Sequence, residues 1–305
     1  REGALSGLSA GPGSSYAGGH VASTPPSLQC PGVTASQMLG NNTKRKPIIT
    51  FCQSLDKMLG GGVHTSEVTE ICGVPGIGKT QFSMQLAVDV QIPTFLAGVG
   101  GEAVYIDTEG SFMVERALQI ANAAVVHVKS ITAARKKEGS KPNATAQQRQ
   151  KMPSPEQEEA VAAMTARSLL EGIHVMRVHD HTEQLAAIQH IPDFIRAHPQ
   201  VKLVVIDSIA FHLRHGINDF GTRGRILSLM SNKLQELANR QSAAVVVINQ
   251  MTTKVESASQ DSAGHGRLIP ALGETWAHAA THRIQLFWRS AALAAAPGEY
   301  GGADG

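Results

Sequence analysis

The chain has few cysteines, few aromatic rings and almost no net charge, and each shortage narrows what it can be. Cys30, Cys52 and Cys72 are the only 3 cysteines in 305 residues, and no CxxC pair occurs. They offer no evident disulfide framework, and thiols this sparse fit a reducing compartment, cytosol or nucleus. Cys52 and Cys72 read as small core residues flanking strands. Aromatic residues make up 4% of the chain, so a platform of rings stacking on bases is not expected to dominate any nucleic-acid contact. The formal net charge is only +2. No global basic field announces a nucleic-acid partner, and such contacts would have to be local. No apolar run approaches the roughly 20 residues that a membrane-spanning helix needs, so no membrane partner is expected. The chain begins with Arg1, no signal-peptide pattern follows, and it reads as a fragment.

What is present is a chain with 42% hydrophobic and 17% charged residues, long enough to bury a substantial core. Residues 1–46 are rich in Gly, Ser, Pro and Thr and read as a disordered arm. The triplet Lys44-Arg45-Lys46 that closes the arm could be a nuclear address or a phosphate contact, but a solvated charge run is the better reading. Residues 47–288 then alternate between strand and helix patterns. Strands are expected at 48–51, 68–72, 103–107, 173–178, 203–207 and 244–248. Helices are expected at 54–59, with Ser54 as N-cap and Gly60-Gly61-Gly62 as stop, and at 81–90, 114–128, 182–197 and 225–240. Leu203-Val204-Val205-Ile206 is unbroken apolar, as a strand covered on both faces must be. Residues 129–160, with Lys141-Pro142-Asn143 and Pro153-Ser154-Pro155, read as a partly disordered surface insertion. Residues 289–305 read as a low-complexity tail. The alternation predicts an α/β fold with a mainly parallel central sheet flanked by helices.

The chemistry concentrates between strands and helices. Gly73-Val74-Pro75-Gly76-Ile77-Gly78-Lys79-Thr80 matches GxxxxGK[ST] at every fixed position, with an apolar strand before it and an amphipathic helix, opening at Gln81, after it. Glycines let backbone N–H groups turn around phosphate oxygens, and the helix N-terminus adds its positive end. Lys79 brings a cation to the β- and γ-phosphates, and the Thr80 hydroxyl is a ligand for Mg2+. Asp207 ends an apolar strand and is the natural second metal contact, held mainly through water. It could otherwise merely cap its loop, but the phosphate loop favours the metal. Glu109, in Asp107-Thr108-Glu109-Gly110, lies at the same strand edge and could activate a water, or be a solvated loop acid. Gln250 ends another strand, where an amide can sense a γ-phosphate.

Two glycine-containing stretches are candidate nucleic-acid loops. Residues 212–225 carry His212, Arg214, His215, Arg223 and Arg225; residues 252–267 carry Lys254, His265 and Arg267. Mobile loops with Arg can follow a phosphate backbone, yet both could be plain solvated loops. None of the 13 histidines sits in a zinc spacing. His278 and His282 stand four apart and could share a helix face, with no third ligand evident. Trp276 and Trp288 read as core or interface aromatics.

The phosphate loop, then Asp107-Thr108-Glu109-Gly110-Ser111-Phe112, then Val204-Val205-Ile206-Asp207-Ser208-Ile209-Ala210, then Ile248-Asn249-Gln250-Met251-Thr252-Thr253-Lys254, in this order, resemble the RecA/RadA-type recombinases of eukaryotes and archaea. The resemblance covers residues 47–288 and is nearest to the accessory paralogues that assist homologous recombination. It implies a RecA-like P-loop ATPase core, ATP and Mg2+ as cofactors, Glu109 as the water-activating acid, Gln250 as γ-phosphate sensor, and Arg116 against the adenine or its ribose. It also implies two DNA-facing loops, near 212–224 and 252–272. Met113-Val114 stands where strand-exchange members carry Arg-Pro, which favours an accessory paralogue. No clear Phe-x-x-Ala motif precedes Ile48, which counts against self-polymerisation. The family's small N-terminal helical domain is absent or replaced by the arm, and the core beyond Trp288 reads as truncated.

Taken together, these features predict a DNA-dependent ATPase-type factor in homologous-recombination repair. It would bind single-stranded or branched DNA in a hetero-oligomer with other recombinase paralogues, in the nucleus and also the cytoplasm. An ATP-bound assembly scaffold with little hydrolysis is the alternative. A motor reading lacks support, since no second RecA domain and no motor motifs occur.

Overall fold

The computed structural model describes residues 34–37, 46–217, 219–255 and 266–288. The chain divides into two units, residues 1–43 and 44–305. In the first, Thr34 and Gln37 cap one helical turn reciprocally: Thr34 N donates to Gln37 Oε1 at 2.9 Å and Gln37 N to Thr34 Oγ1 at 3.2 Å. The rest of the expected arm, and the tail 289–305, lie outside the described residues.

The second unit runs β1 (Pro47–Ile48), α1 (Gln53–Met58), β2 (Val63–His64), β3 (Val68–Gly73), α2 (Lys79–Asp89), β4 (Glu102–Asp107) and α3 (Val114–Gly139). It continues with α4 (Ala146–Gln150), α5 (Pro155–Ala163), α6 (Ala166–Glu171), β5 (Ile173–Arg177), α7 (His181–Ala197), β6 (Val201–Asp207) and α8 (Phe211–His215). Last come α9 (Phe220–Gln241), β7 (Ala244–Val255), β8 (Gly266–Pro270), α10 (Gly273–Ala277) and β9 (His282–Leu286). The main sheet has the order β5-β4-β6-β7-β3-β9, with all these neighbours parallel. The C-terminal ends of β3, β4, β6 and β7 therefore open onto one edge, where ligands of open α/β sheets bind.

Strand alternation divides the core between the two faces. Val204 and Ile206 of β6 pack with Ile188 and Ile191 of α7 and with Met230 and Leu234 of α9. Leu203 and Val205 face the other way, toward Leu86 and Ala87 of α2 and Ile120 and Ala121 of α3. This double cover explains why the strands read as continuous apolar runs.

Several sequence expectations need correction. The first strand stops at Ile48, because Phe51 sits at φ 55°, in the left-handed region, where an extended chain cannot continue. Cys52, not Ser54, precedes α1 as its N-cap, and Cys52 is exposed rather than a core residue; Cys72 is buried in β3. The surface insertion 129–160 is helical rather than disordered: α3 continues to Gly139, and α4 and α5 follow. Of the residues that suggested disorder, Ser154 and Pro155 start a helix: Ser154 forms a capping box with Gln157 and Pro155 opens α5, while Thr145 with Gln148 caps α4 in the same way. His278 and His282 share no helix face, because α10 ends at Ala277 and His282 opens β9, 3.0 Å from Glu67 Oε2. Trp276 is buried in the core, whereas Trp288 is 71% exposed.

Candidate active site

The phosphate loop leaves β3 at Gly73 and delivers its last residues into the start of α2. Gly76 and Gly78 have φ of 77° and 102°, and a Cβ on either would meet nothing within 4 Å. Backbone strain, not crowding, is what demands glycine there. Gly78 is the N-cap of α2 and no side chain caps it, so the first N–H groups of the helix remain available to an anion. Lys79 Nζ donates to the carbonyls of Gly73 at 2.9 Å and Val74 at 3.0 Å. Burial lowers its pKa, against the opposing pull of Asp207 and Glu109.

Asp207, at the end of β6, is 2% exposed. Burial raises its pKa, while hydrogen bonds from Thr80 and Tyr105 oppose the shift. The Tyr105 hydroxyl donates to Asp207 Oδ2 at 2.8 Å and lies 2.8 Å from Ser83 Oγ. Thr80 and Asp207 are thus together, a hydroxyl and a carboxylate whose hard oxygens suit Mg2+ that keeps several waters. Among the described residues no group of three or more His, Cys, Asp or Glu could hold a metal ion.

Asp107, at the end of β4, is taken up by the loop that follows it. Its Oδ1 accepts from Gly110 N at 2.8 Å and Ser111 N at 3.0 Å, and its Oδ2 accepts from Phe112 N at 3.3 Å and pairs with Arg177 at 3.2 Å. It shapes the loop that presents Glu109. Glu109 Oε1 accepts from Ser208 Oγ at 2.5 Å and from Gln250 Nε2 at 2.8 Å. Gln250 Oε1 in turn accepts from Arg214 Nη1 at 3.2 Å. The two residues proposed for water activation and γ-phosphate sensing are therefore in contact. Arg116, in the first turn of α3, donates through Nε to Gln81 Oε1 at 2.5 Å and through Nη1 to Gln119 Oε1 at 2.7 Å, which places it beside the phosphate-loop helix.

The candidate nucleic-acid loops come out differently from the sequence reading. Most of residues 212–224 is helical. Arg214 is on α8, and Arg223 and Arg225 are in the first turns of α9, whose N-cap Asp219 accepts from Gly221 N at 3.3 Å and Thr222 N at 2.7 Å. Arg225 is exposed and donates to Thr222 Oγ1 at 3.2 Å; Arg223 is half-buried. The second stretch is a strand pair, with Lys254 of β7 opposite Arg267 of β8; residues 256–265, with His265, lie outside the described residues. Sequence reasoning missed Ser208, Tyr105 and Asp107 as site-builders. Tyr105 carried a signal: one hydroxyl inside the aliphatic strand Ala103-Val104-Tyr105-Ile106 requires a buried partner.

A parallel sheet with a phosphate loop, two acidic residues and an amide along one edge defines a RecA-like nucleotide-binding protein. Residues 44–148 and 154–291 match the Rad51 family, and the chain belongs to it. It is 44% identical over 255 residues to "DNA repair protein RAD51 homolog 3" of Cricetulus griseus, an alignment covering 84% of this chain and 63% of that protein. Identity to "DNA repair protein RAD51 homolog 3" of Dictyostelium discoideum is 37% over 263 residues, covering 85% and 62%. Identity to "DNA repair and recombination protein RadA" of Metallosphaera sedula is 29% over 256 residues, covering 83% and 66%. The chain thus spans less than two thirds of the length of the relatives it matches.

Proposed function

We propose that this chain binds ATP with Mg2+ and hydrolyses it in a DNA-dependent manner, as an accessory factor in homologous-recombination repair. It acts with other recombinase paralogues in a hetero-oligomer, in the nucleus and also the cytoplasm. The hydrogen bond from Gln250 to Glu109 at 2.8 Å, at the edge that holds Lys79, Thr80 and Asp207, carries this reading. The names of the relatives, which speak of DNA repair and recombination, support it. Backbone N–H groups of the phosphate loop and the N-terminus of α2 hold the phosphates. Lys79 balances charge on the β- and γ-phosphates. The Thr80 hydroxyl and the Asp207 carboxylate would hold Mg2+, which would neutralise charge developing on the phosphate oxygens. Glu109 orients a water and takes its proton. Gln250 touches Glu109 on one side and Arg214 on the other, so a change at the Arg214 segment on contact with DNA reaches the base through two hydrogen bonds. Arg116, beside Gln81, lines the adenine or ribose side.

The test is an ATP-binding titration alongside turnover with Mg2+, with and without single-stranded DNA. Wild type is expected to bind ATP and to turn it over faster with DNA. Lys79→Ala is expected to lose binding, and Glu109→Gln to bind normally while turnover falls on the order of 10²–10⁴-fold. Unchanged ATP affinity in Lys79→Ala would overturn the phosphate-loop assignment. Binding without turnover, even with partner paralogues added, would favour the ATP-bound scaffold.

A further inference from the structure

Ser208 sits directly after Asp207 and is 1% exposed. Its backbone is clamped to the loop after β4. Thr108 N donates to Asp207 O at 2.8 Å, Thr108 Oγ1 donates to Ser208 O at 2.9 Å, and Ser208 N donates back to Thr108 Oγ1 at 2.6 Å. Clamped on both its amide and its carbonyl, Ser208 has little freedom except in its hydroxyl. That hydroxyl donates to Glu109 Oε1 at 2.5 Å, the same oxygen that accepts from Gln250 Nε2 at 2.8 Å. Among the described residues, Glu109 Oε2 receives no hydrogen bond.

We infer that Ser208 is a positioning residue for the base: with Gln250 it saturates Glu109 Oε1, fixes the carboxylate plane, and leaves Oε2 as the oxygen that takes the proton from the attacking water. Glu109 is exposed, and an exposed glutamate on a loop otherwise samples several rotamers. Two donors on one oxygen remove that freedom at the moment it matters, because orientation of a base contributes to rate only when it is held before the reaction. A hydrogen bond to a charged acceptor is stronger than a neutral one. The donors also come from different strands of the sheet. Ser208 directly follows β6, beside the metal-side carboxylate, and Gln250 lies within β7, where its pairing with β3 ends. Glu109 is thereby referenced to both. This inference rests on the hydrolytic reading above.

The experiment measures kcat, KM and ATP affinity of the full chain, with Mg2+ and single-stranded DNA, for wild type, Ser208→Ala, Ser208→Cys, Glu109→Gln and the Ser208→Ala/Glu109→Gln double variant. Ser208→Ala is expected to lower kcat about 10–100-fold, the value of one hydrogen bond to a charged group, with KM and ATP affinity within about twofold, since uniform binding is untouched. The double variant is expected to be no slower than Glu109→Gln alone, because Ser208 acts only through Glu109. A kcat unchanged in Ser208→Ala, a rise in KM alone, or additive losses in the double variant would each overturn the inference. If Ser208→Ala fails to bind ATP through loss of the fold, Ser208→Cys decides: the thiol fills the same site but donates weakly, so a kcat loss at normal ATP affinity supports the role and an unchanged kcat rejects it. Wild-type turnover no faster than that of Glu109→Gln would reject the hydrolytic reading, and this inference with it. Turnover lost in Glu109→Gln yet intact in Ser208→Ala would reject this inference alone.

Discussion

Two glutamates, one within the central sheet and one on the loop at its edge, are built for opposite ends. Glu70 lies inside β3 with no exposed surface. Its Oε1 accepts from Asn249 Nδ2 at 2.6 Å and its Oε2 from Arg283 Nε at 2.5 Å. Glu109 lies on the rim, exposed, with both of its donors on one oxygen. The donors Asn249 and Gln250 are consecutive residues of β7, opposite Cys72 and Gly73 of β3, and successive residues of a strand face opposite sides. One step along the strand therefore separates a fastening from a site. Each oxygen of Glu70 is used to tie strands together: β7 through Asn249 and β9 through Arg283. Glu109 keeps one oxygen available for chemistry. A carboxylate saturated on both oxygens stabilises the fold, whereas one saturated on a single oxygen is aimed.

The sharpest way to break this contrast is Arg283→Ala. It leaves a buried carboxylate without its cation, which costs about 3–5 kcal/mol. The third of Arg283 that stays solvent-exposed puts the expectation near the lower end. The urea midpoint should fall at constant slope, while ATP affinity below the transition stays near wild type. A loss under about 1 kcal/mol would mean that water already solvates Glu70, against its complete burial. The paired substitutions Asn249→Ala and Gln250→Ala test the same contrast one residue apart. Asn249→Ala removes one donor from Glu70 and is expected to cost about 1–3 kcal/mol of stability with ATP turnover per folded molecule retained. Gln250→Ala should leave the denaturation midpoint within about 0.5 kcal/mol and lower turnover about tenfold. If both substitutions moved stability equally, the division between fastening and site would be wrong.

The rim was more legible in the sequence than the interior, for a physical reason. A phosphate loop requires glycines, a lysine and a threonine at fixed offsets, so residues 73–80 announce themselves without a structure. Asp207 was readable as a carboxylate ending an apolar strand, and Glu109 and Gln250 as polar residues just past apolar runs, because such positions in a parallel sheet share one edge; Gln250 does not end its strand, since β7 continues to Val255 and pairs there with β8. The alternation of strands and helices likewise gave the α/β fold. The Glu70 cluster was not readable: its members are 179 and 213 positions apart, and nothing local in Val68-Thr69-Glu70-Ile71 distinguishes a buried glutamate from a surface one. Ser208 was silent for the same reason, since its partners Thr108 and Glu109 come from a different strand end. The misread insertion 129–160 shows a third limit. Ser, Thr and Pro at helix starts and Ser, Thr and Pro in disorder have one composition, and only the reciprocal cap bonds tell them apart.

The two described cysteines offer a gentler probe of inside and outside. Cys72 shares the interior with Glu70, and its thiol is pushed up to about 11, first by burial and then by the Glu70 carboxylate, against the pull of Arg283 and Lys79. Its ordinary value is 9.0, so at pH 8, three units below the folded value, only about one thiol in 10³ is ionised. Cys52 is exposed, and a hydrogen bond with Ser54 draws its thiol below the ordinary range. Alkylation at pH 8 followed by peptide mass mapping should therefore label Cys52 readily and Cys72 only on unfolding, because the thiolate is the reacting form. Raising the pH toward 10 should increase labelling of Cys52 first, since its thiol ionises at lower pH. The same reagent then reads the Glu70 cluster. In Arg283→Ala the interior opens more often, so the logarithm of the Cys72 labelling rate should rise in proportion to the stability lost when reclosing outpaces the reagent. Labelling of Cys72 as fast as Cys52 in wild type would place it outside the core and break the comparison at its base.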